Sequence, residues 1–205
     1  MRSQFSGCIL KYFDFSKYPE IEAMYYVYAV LSSATYLDTF EGILYRSSDP
    51  SNPPRIPLAQ LREDRINISD LGRNIAECEK PDFQAEDSTE YKLQYPKNFT
   101  AFKLSKHTFD EKKQTFFLSS ETETIKILGV ATEVVSLSIA EHNVVDKWIR
   151  ERTYSYLRRD FGRKDIAQLL NLFSAIKSQK NYIYQVDHRL VEILSNKKFI
   201  STDHL

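Results

Sequence analysis

Three constellations in this sequence pair residue types with spacings that chemistry uses. The stretch SDPSNPPRIPLAQL, Ser48 to Leu61, contains Asn52-Pro53-Pro54. Asn-Pro-Pro followed by an aromatic residue is a methyl-transfer arrangement, in which the amide and a backbone carbonyl hold a target amino group and the ring stacks on an extruded base. Here the fourth residue is Arg55, a cation in place of the ring. Further on, Pro81-Asp82 and Glu90-Tyr91-Lys92 spell Pro-Asp…Glu-x-Lys. That pattern supplies two carboxylates for Mg²⁺ and a lysine to steady the attacking water. The third constellation is cationic: Lys103, Lys106, His107, Lys112 and Lys113 lie close together, and Arg46 and Arg55 flank the proline loop, with Arg62 and Arg65 just beyond. Cations hold phosphates, and side chains reaching base edges read sequence.

The first two constellations lack their surroundings. A methyltransferase needs a glycine-rich loop after a buried strand to hold its nucleoside cofactor. The five glycines here make no such loop, and YRSSDPS before Asn52 is polar. The nuclease carboxylates need adjacent, largely buried strands, whereas FQAEDST between them is short, acidic and without periodicity. His107, His142, His188 and His204 have neither metal-ligand spacing nor a partnered nucleophile, and no Gly-x-Ser-x-Gly elbow occurs. The sequence therefore predicts no catalytic residue, no metal and no cofactor. DNA contact remains, through Arg46, Arg55, Lys103, Lys106, His107, Lys112 and Lys113, against the alternative of an ordinary solvated face.

Composition bounds the partners. The chain has 205 residues, 28 Lys+Arg against 28 Asp+Glu, and so no net charge to attract a polyanion at long range. A hydrophobic fraction of 42% fits an ordered core. Cys8 and Cys78 are too few for a disulfide scaffold or zinc site, which points to a reducing compartment. The opening MRSQFSGCILKYFDF has no apolar run of the signal or membrane-span type, so the expectation is a cytoplasmic protein without a membrane partner.

The elements that must position these residues form an α+β chain: an N-terminal helical subdomain, a small antiparallel β-sheet and a long C-terminal helix. PEIEAMYYVYAVLSS reads as a helix, opened by Pro19 and by Glu20 and Glu22 at its favourable dipole end. Ile21, Met24, Tyr25, Tyr28 and Leu31 or Ser32 fall at helical spacing and predict its apolar face. A second helix is expected over roughly Thr35–Leu44 and a third over Ser69–Glu79, with Ser69 as N-cap. Between them four prolines set an extended path over 47–57. KPDFQAEDSTE reads as a linker, which places a boundary near Pro81 and divides the chain into 1–80 and 81–205. Beyond it FTAFKLSKHTF, KQTFFLSS, ETIKILGV and VVSLSI alternate as strands, with Asp110-Glu111-Lys112 turning the first hairpin. On that hairpin Lys103 and Ser105 point away from Phe102 and Leu104. HNVVDKWIRER returns to helical spacing.

From Arg163 to Leu194 runs one helix of about 48 Å. Ile166, Phe173, Lys180, Asp187 and Leu194 form one seven-residue row, and Leu169, Ile176, Ile183 and Leu190 the other. Lys180 and Asp187 are polar at otherwise apolar seam positions. Lying about 10 Å apart along the axis, they cannot pair with each other. Asp187, flanked by Ile183 and Leu190, is expected to find a buried partner, and Lys180 to reach solvent along its stem.

Six segments, in order, resemble the C-terminal specificity domain of the Type ISP restriction-modification enzymes. They are YVYAVLSSATYLDTF (Tyr26–Phe40), Pro54-Arg55-Ile56-Pro57, Leu71-Gly72-Arg73, Ile125–Glu133, VDKWIRER (Val145–Arg152) and the helix Ile166–Val191. The resemblance implies recognition of a double-stranded DNA target on behalf of an adenine methyltransferase, helicase and nuclease carried elsewhere. It makes Asn52-Pro53-Pro54 the run-in to a Pro-Arg-Ile-Pro loop. A module that docks to such a methyltransferase/helicase polypeptide, or a remnant of a larger enzyme, are the alternatives.

Overall fold

A computed structural model describes residues 7–46, 56–80, 83–84, 90–139 and 141–200, without the side chains of residues 7, 8 and 41–46. In chain order the elements are α1 (Gly7–Leu10), α2 (Pro19–Ser32), α3 (Ala34–Arg46), β1 (Leu58–Ala59) and α4 (Arg62–Cys78). There follow β2 (Lys92–Gln94), β3 (Ala101–Phe102), β4 (Lys106–Asp110), β5 (Thr115–Ser119), β6 (Thr124–Leu128), α5 (Thr132–Val135), β7 (Ser138–Ile139), β8 (His142–Asn143), α6 (Val144–Arg150), α7 (Tyr154–Leu157) and β9 (Phe161–Gly162). The chain ends in α8 (Arg163–Ser195) and β10 (Phe199–Ile200). The fold is α+β. It divides into two compact units, residues 1–81 with 179–205, and residues 82–178.

In the first unit α2 packs on α4 around small residues. Ala23 and Ala29 are buried on α2, and a Cβ on Gly72 of α4 would lie 2.0 Å from the Tyr25 carbonyl oxygen, so only glycine permits this approach. Ser69 sits in the middle of α4, its hydroxyl donating to the Glu22 carbonyl at 3.1 Å. Helix α4 starts seven residues before the expected cap, with Glu63 and Asp64 in its first turn.

The buried face of α2 is Glu22, Ala23, Tyr26, Ala29 and Val30, not the expected stripe. Ile21, Met24 and Leu31 are 44%, 50% and 46% exposed. Close helix packing selects the alanines over the longer side chains, and each polar group on the buried face has a partner. The Tyr26 hydroxyl donates to the Pro57 carbonyl at 2.7 Å and accepts from the Ala59 N–H at 2.9 Å. Glu22 pairs with Arg73 at 2.5 Å.

Asp187 of α8 fulfils its expectation here. Its Oδ1 accepts from the Ser33 hydroxyl at 2.5 Å and the Thr35 N–H at 3.0 Å, while Ser33 Oγ accepts from the Tyr36 N–H at 3.1 Å. A carboxylate and a serine thus cap the N-terminus of α3, where the orphan amides and helix dipole favour negative charge. Lys180 is part-exposed.

The second unit is built on an antiparallel sheet in the order β2-β6-β5-β4. Phe116 and Leu118 on β5, with Ile125 and Ile127 on β6, alternate inward and are at most 1% exposed. They pack with Val145 and Ile149 of α6 and with Ile166, Leu169, Phe173 and Ile176 of α8. Phe173 meets Phe116 edge-on at 5.3 Å and Tyr91 at 5.8 Å. VVSLSI is not one strand. Thr132–Val135 forms a helical turn that buries Val134, and only Ser138–Ile139 pairs, with His142–Asn143. The Asn143 side chain caps α6 by accepting from the Asp146 N–H at 2.8 Å. Among the described residues no helix is long and apolar enough to cross a membrane.

Candidate nucleic-acid interface

The cations foreseen on the first hairpin separate into two ends. Phe102 and Leu104 are buried while Lys103, Ser105 and Lys106 are exposed. The expected single strand FTAFKLSKHTF is broken here: β3 pairs with β9, β4 pairs with β5, and residues 103–105 between them belong to neither strand. The five residues of β4 then carry the chain about 17 Å to the turn that holds Lys112 and Lys113. That turn is closed by Asp110, whose Oδ1 accepts from the Lys113 N–H at 3.1 Å and whose Oδ2 lies 3.5 Å from Lys113 Nζ. Between the two ends His107 stacks on Phe116, with ring centroids 5.5 Å apart, and its Nε2 lies 2.6 Å from Asp146 Oδ1. His107 is therefore bound to a carboxylate within the unit, and Lys113 shares the charge of Asp110.

Lys103 is brought instead to a part of the chain about fifty residues away in sequence. Its Nζ stands 4.7 Å above the ring of Tyr154 in α7, an arrangement that holds an ammonium in place without neutralising it. A groove of about 630 Å³ opens beside this pair. Lys103, Tyr154 and Arg158 line it together with Glu121, Glu123 and Asp160. Arg158 is the C-cap of α7, in the left-handed region at φ 58° and ψ 26°, its N–H donating to the Tyr154 carbonyl at 2.9 Å. Its neighbour Arg159 is committed differently: both its terminal nitrogens donate to Asp165, at 2.8 and 2.7 Å. That fork, with the Gly162 N–H donating to Oδ2 at 2.9 Å, holds the Asp165 carboxyl below the usual carboxylate range. Arg159 thus fastens the start of α8, as Arg163 does by donating to the Phe99 carbonyl at 3.2 Å.

Other foreseen residues fall elsewhere. Arg46 ends α3, and its side chain lies outside the described residues, as do Arg55, Asn52-Pro53-Pro54, Pro81-Asp82 and His204. Arg65 is buried, donating to the Tyr12, Ala59 and Gln60 carbonyls at 2.8–2.9 Å, and so closes the fold beyond the proline loop. Glu90 pairs with Lys177, and Lys92 is exposed on β2. Among the described residues no group of three or more His, Cys, Asp or Glu is placed to hold a metal ion.

Residues 11–185 match the family model of the Type ISP C-terminal specificity domain. The chain belongs to that family. Two solved structures share the fold of this specificity domain. One is a nuclease-deletion mutant of the Type ISP restriction-modification enzyme LlaGI in complex with a DNA substrate mimic, at 16% identity and TM-score 0.56 over 80% of this chain and 13% of that one. The other is the ATP-dependent Type ISP restriction-modification enzyme LlaBIII bound to DNA, at 15% identity and TM-score 0.57 over 91% of this chain and 12% of that one. The domain thus spans about an eighth of the length of the structures it matches. No curated protein matches it. The ordered segments of the sequence, from Tyr26 to Val191, pointed to this family, and the matched span covers nearly all of them.

The α7 side of the groove was not foreseen. The run TYSYLRRD carried a signal, two tyrosines followed by two arginines, but its basic residues read equally well as the start of a helix. Arg159 has that role, and Arg158 does not.

Proposed function

We propose that this domain recognises a double-stranded DNA target for a Type ISP-like restriction-modification system and carries no catalysis of its own. Membership of the specificity-domain family carries the reading. The methyl-transfer, helicase and cleavage steps then belong to a separate part of the assembly, and the domain works in the cytoplasm as one component of phage defence. DNA as the partner is supported by the two fold relatives, described as held on DNA or a DNA mimic. Within the chain, Lys103 and Lys106 at the groove end of the hairpin are the leading proposed phosphate contacts, with His107 next to them, Lys112 and Lys113 in the turn at the other end, and Arg46 and Arg55 beside the proline loop. Phosphate contact by a chain of zero net charge has to come from such local clusters.

The test is a gel-shift titration of the 205-residue chain with mixed-sequence duplex at low salt, followed by incubation with S-adenosylmethionine and Mg²⁺. Retarded duplex that is neither methylated nor cut is the expected result. Absence of retardation at every reachable concentration would overturn the DNA-binding reading. Cleavage abolished by Lys92→Ala would overturn the non-catalytic one.

A second reading has its own observation. The exposed stripe of Ile21, Met24 and Leu31 on α2 fits docking to a methyltransferase/helicase polypeptide. Charged substitutions there would then abolish co-purification with that polypeptide and leave duplex binding unchanged.

A further inference from the structure

The geometry points to Arg158 as the residue through which this domain reads a base, its guanidinium directed at the O6 and N7 edge of a guanine in duplex DNA. The inference rests on the DNA-binding reading above and names the specificity-determining contact within it. Three features meet at this residue.

The first is its availability. Arg152 donates to the Trp148 carbonyl at 3.1 Å, Arg159 is forked on Asp165, and Arg163 donates to the Phe99 carbonyl at 3.2 Å. Arg158 is exposed, and its guanidinium has no hydrogen bond or ion pair among the described residues. The planar fork that suits a guanine edge is therefore free.

The second is its backbone. At φ 58° Arg158 occupies the left-handed cap position that glycine fills without steric cost and other residues fill less easily. Folding alone would favour glycine there. An arginine in that place keeps a long cationic side chain at a residue that lines the groove, at the expense of the better cap.

The third is the character of the groove. A surface made only to hold phosphates would be uniformly cationic. This one is lined by Lys103 and Arg158 and also by Glu121, Glu123 and Asp160, with Tyr154 under the Lys103 ammonium. Donors and acceptors side by side match base edges, because guanine presents two acceptors in the major groove and cytosine an amino donor that Glu or Asp can accept. The Lys103 ammonium, held over Tyr154, is then the phosphate contact that fixes register beside the reading residue.

The test selects the preferred site of the full chain from a random duplex library and measures affinity for that site and its single-pair variants. The parent should discriminate about 5- to 150-fold at one G·C pair, the range of a bidentate arginine contact. Arg158→Gly should lose discrimination at that pair alone while its Tm equals or exceeds the parent's, since glycine is the better cap. Arg158→Lys, which keeps the charge without the fork, should not restore it. Lys103→Ala should weaken all sequences by a similar factor and leave the preference intact. An Arg158→Gly variant that keeps the preference, or weakens every sequence equally, overturns the assignment. So does a parent that binds duplex without preference at any G·C pair. A parent that binds no duplex removes the DNA-binding reading itself, a different failure from the loss of Arg158's role.

Discussion

The two units use their cations in contrasting ways. In the first, Arg65 is buried and donates to three backbone carbonyls, and Arg73 closes on the buried Glu22. Both charges are consumed in holding α2, α4 and the segment after the proline loop. In the second, Arg159 and Arg163 secure the start of α8, yet Lys103 and Arg158 stay exposed along one groove and Lys106 stays exposed at the start of β4. The contrast teaches that counting cations along a sequence does not locate a binding face. Their acceptors do, because a guanidinium already satisfied by carbonyls or a carboxylate gains little from a phosphate. The structural and the free cations predict opposite consequences on mutation.

The largest stability effect belongs to the core of the second unit. Phe173→Ala removes a ring that is 0% exposed and in contact with Phe116 and Tyr91. It should cost about 3–5 kcal/mol in a denaturant titration. Gly72→Ala comes next, because its Cβ would meet the Tyr25 carbonyl at 2.0 Å and backbone must move. About 3 kcal/mol is expected. If this variant melts with the parent, α2 and α4 are not packed as closely as described. Asp187→Ala removes the carboxylate from the cap of α3 and should cost about 1–2 kcal/mol, a Tm lower by about 2–8 °C, with Lys180→Ala nearly neutral. Equal melting of the two variants would show that Asp187 caps nothing.

The smallest effect is a pH dependence in the second unit. Asp165 has its folded-state pKa lowered, first by the fork from Arg159 and then by the Gly162 N–H. Its contribution is present above the ordinary carboxylate value of about 4 and is lost as pH falls through the lowered one. Asp165→Asn should therefore flatten the acid limb of a Tm-against-pH curve and leave its shape above pH 5 unchanged. An unchanged acid limb would mean that the fork does not stabilise the folded state.

How legible this was in the sequence depends on what each residue answers to. Period-two alternation over β5 and β6 foretold Phe116, Leu118, Ile125 and Ile127 because one face of a sheet must be dry. The long helix was plain from Arg163 onward, and Asp187 stood out as a polar residue between Ile183 and Leu190. Helix α2 misled because hydrophobicity marks the larger side chains, whereas close packing on α4, with Gly72 against Tyr25 and Ala29, buried Ala23 and Ala29 and carried Glu22 and Tyr26 inward with their partners. Ser69 looked like a cap, yet α4 starts at Arg62. VVSLSI looked like a strand until burial of Val134 required a helical turn. In the candidate site, Lys103 is exposed as alternation predicted, although it lies between β3 and β4 and not within a strand. Its meeting with Tyr154 and Arg158 did not follow, because no local pattern links residues about fifty positions apart.

The central claim is that the free cations at the groove end of the hairpin face DNA, and the salt dependence of duplex affinity tests it most directly. The slope of log affinity against log salt counts the phosphates contacted, each at about 0.9. The double substitution Lys103→Ala with Lys106→Ala should lower that slope by about 2. Lys113→Ala, which removes a charge already shared with Asp110, should change it much less. An unaltered slope for the double variant, with a clear loss for Lys113→Ala, would place the contact at the opposite end of the hairpin and contradict the account.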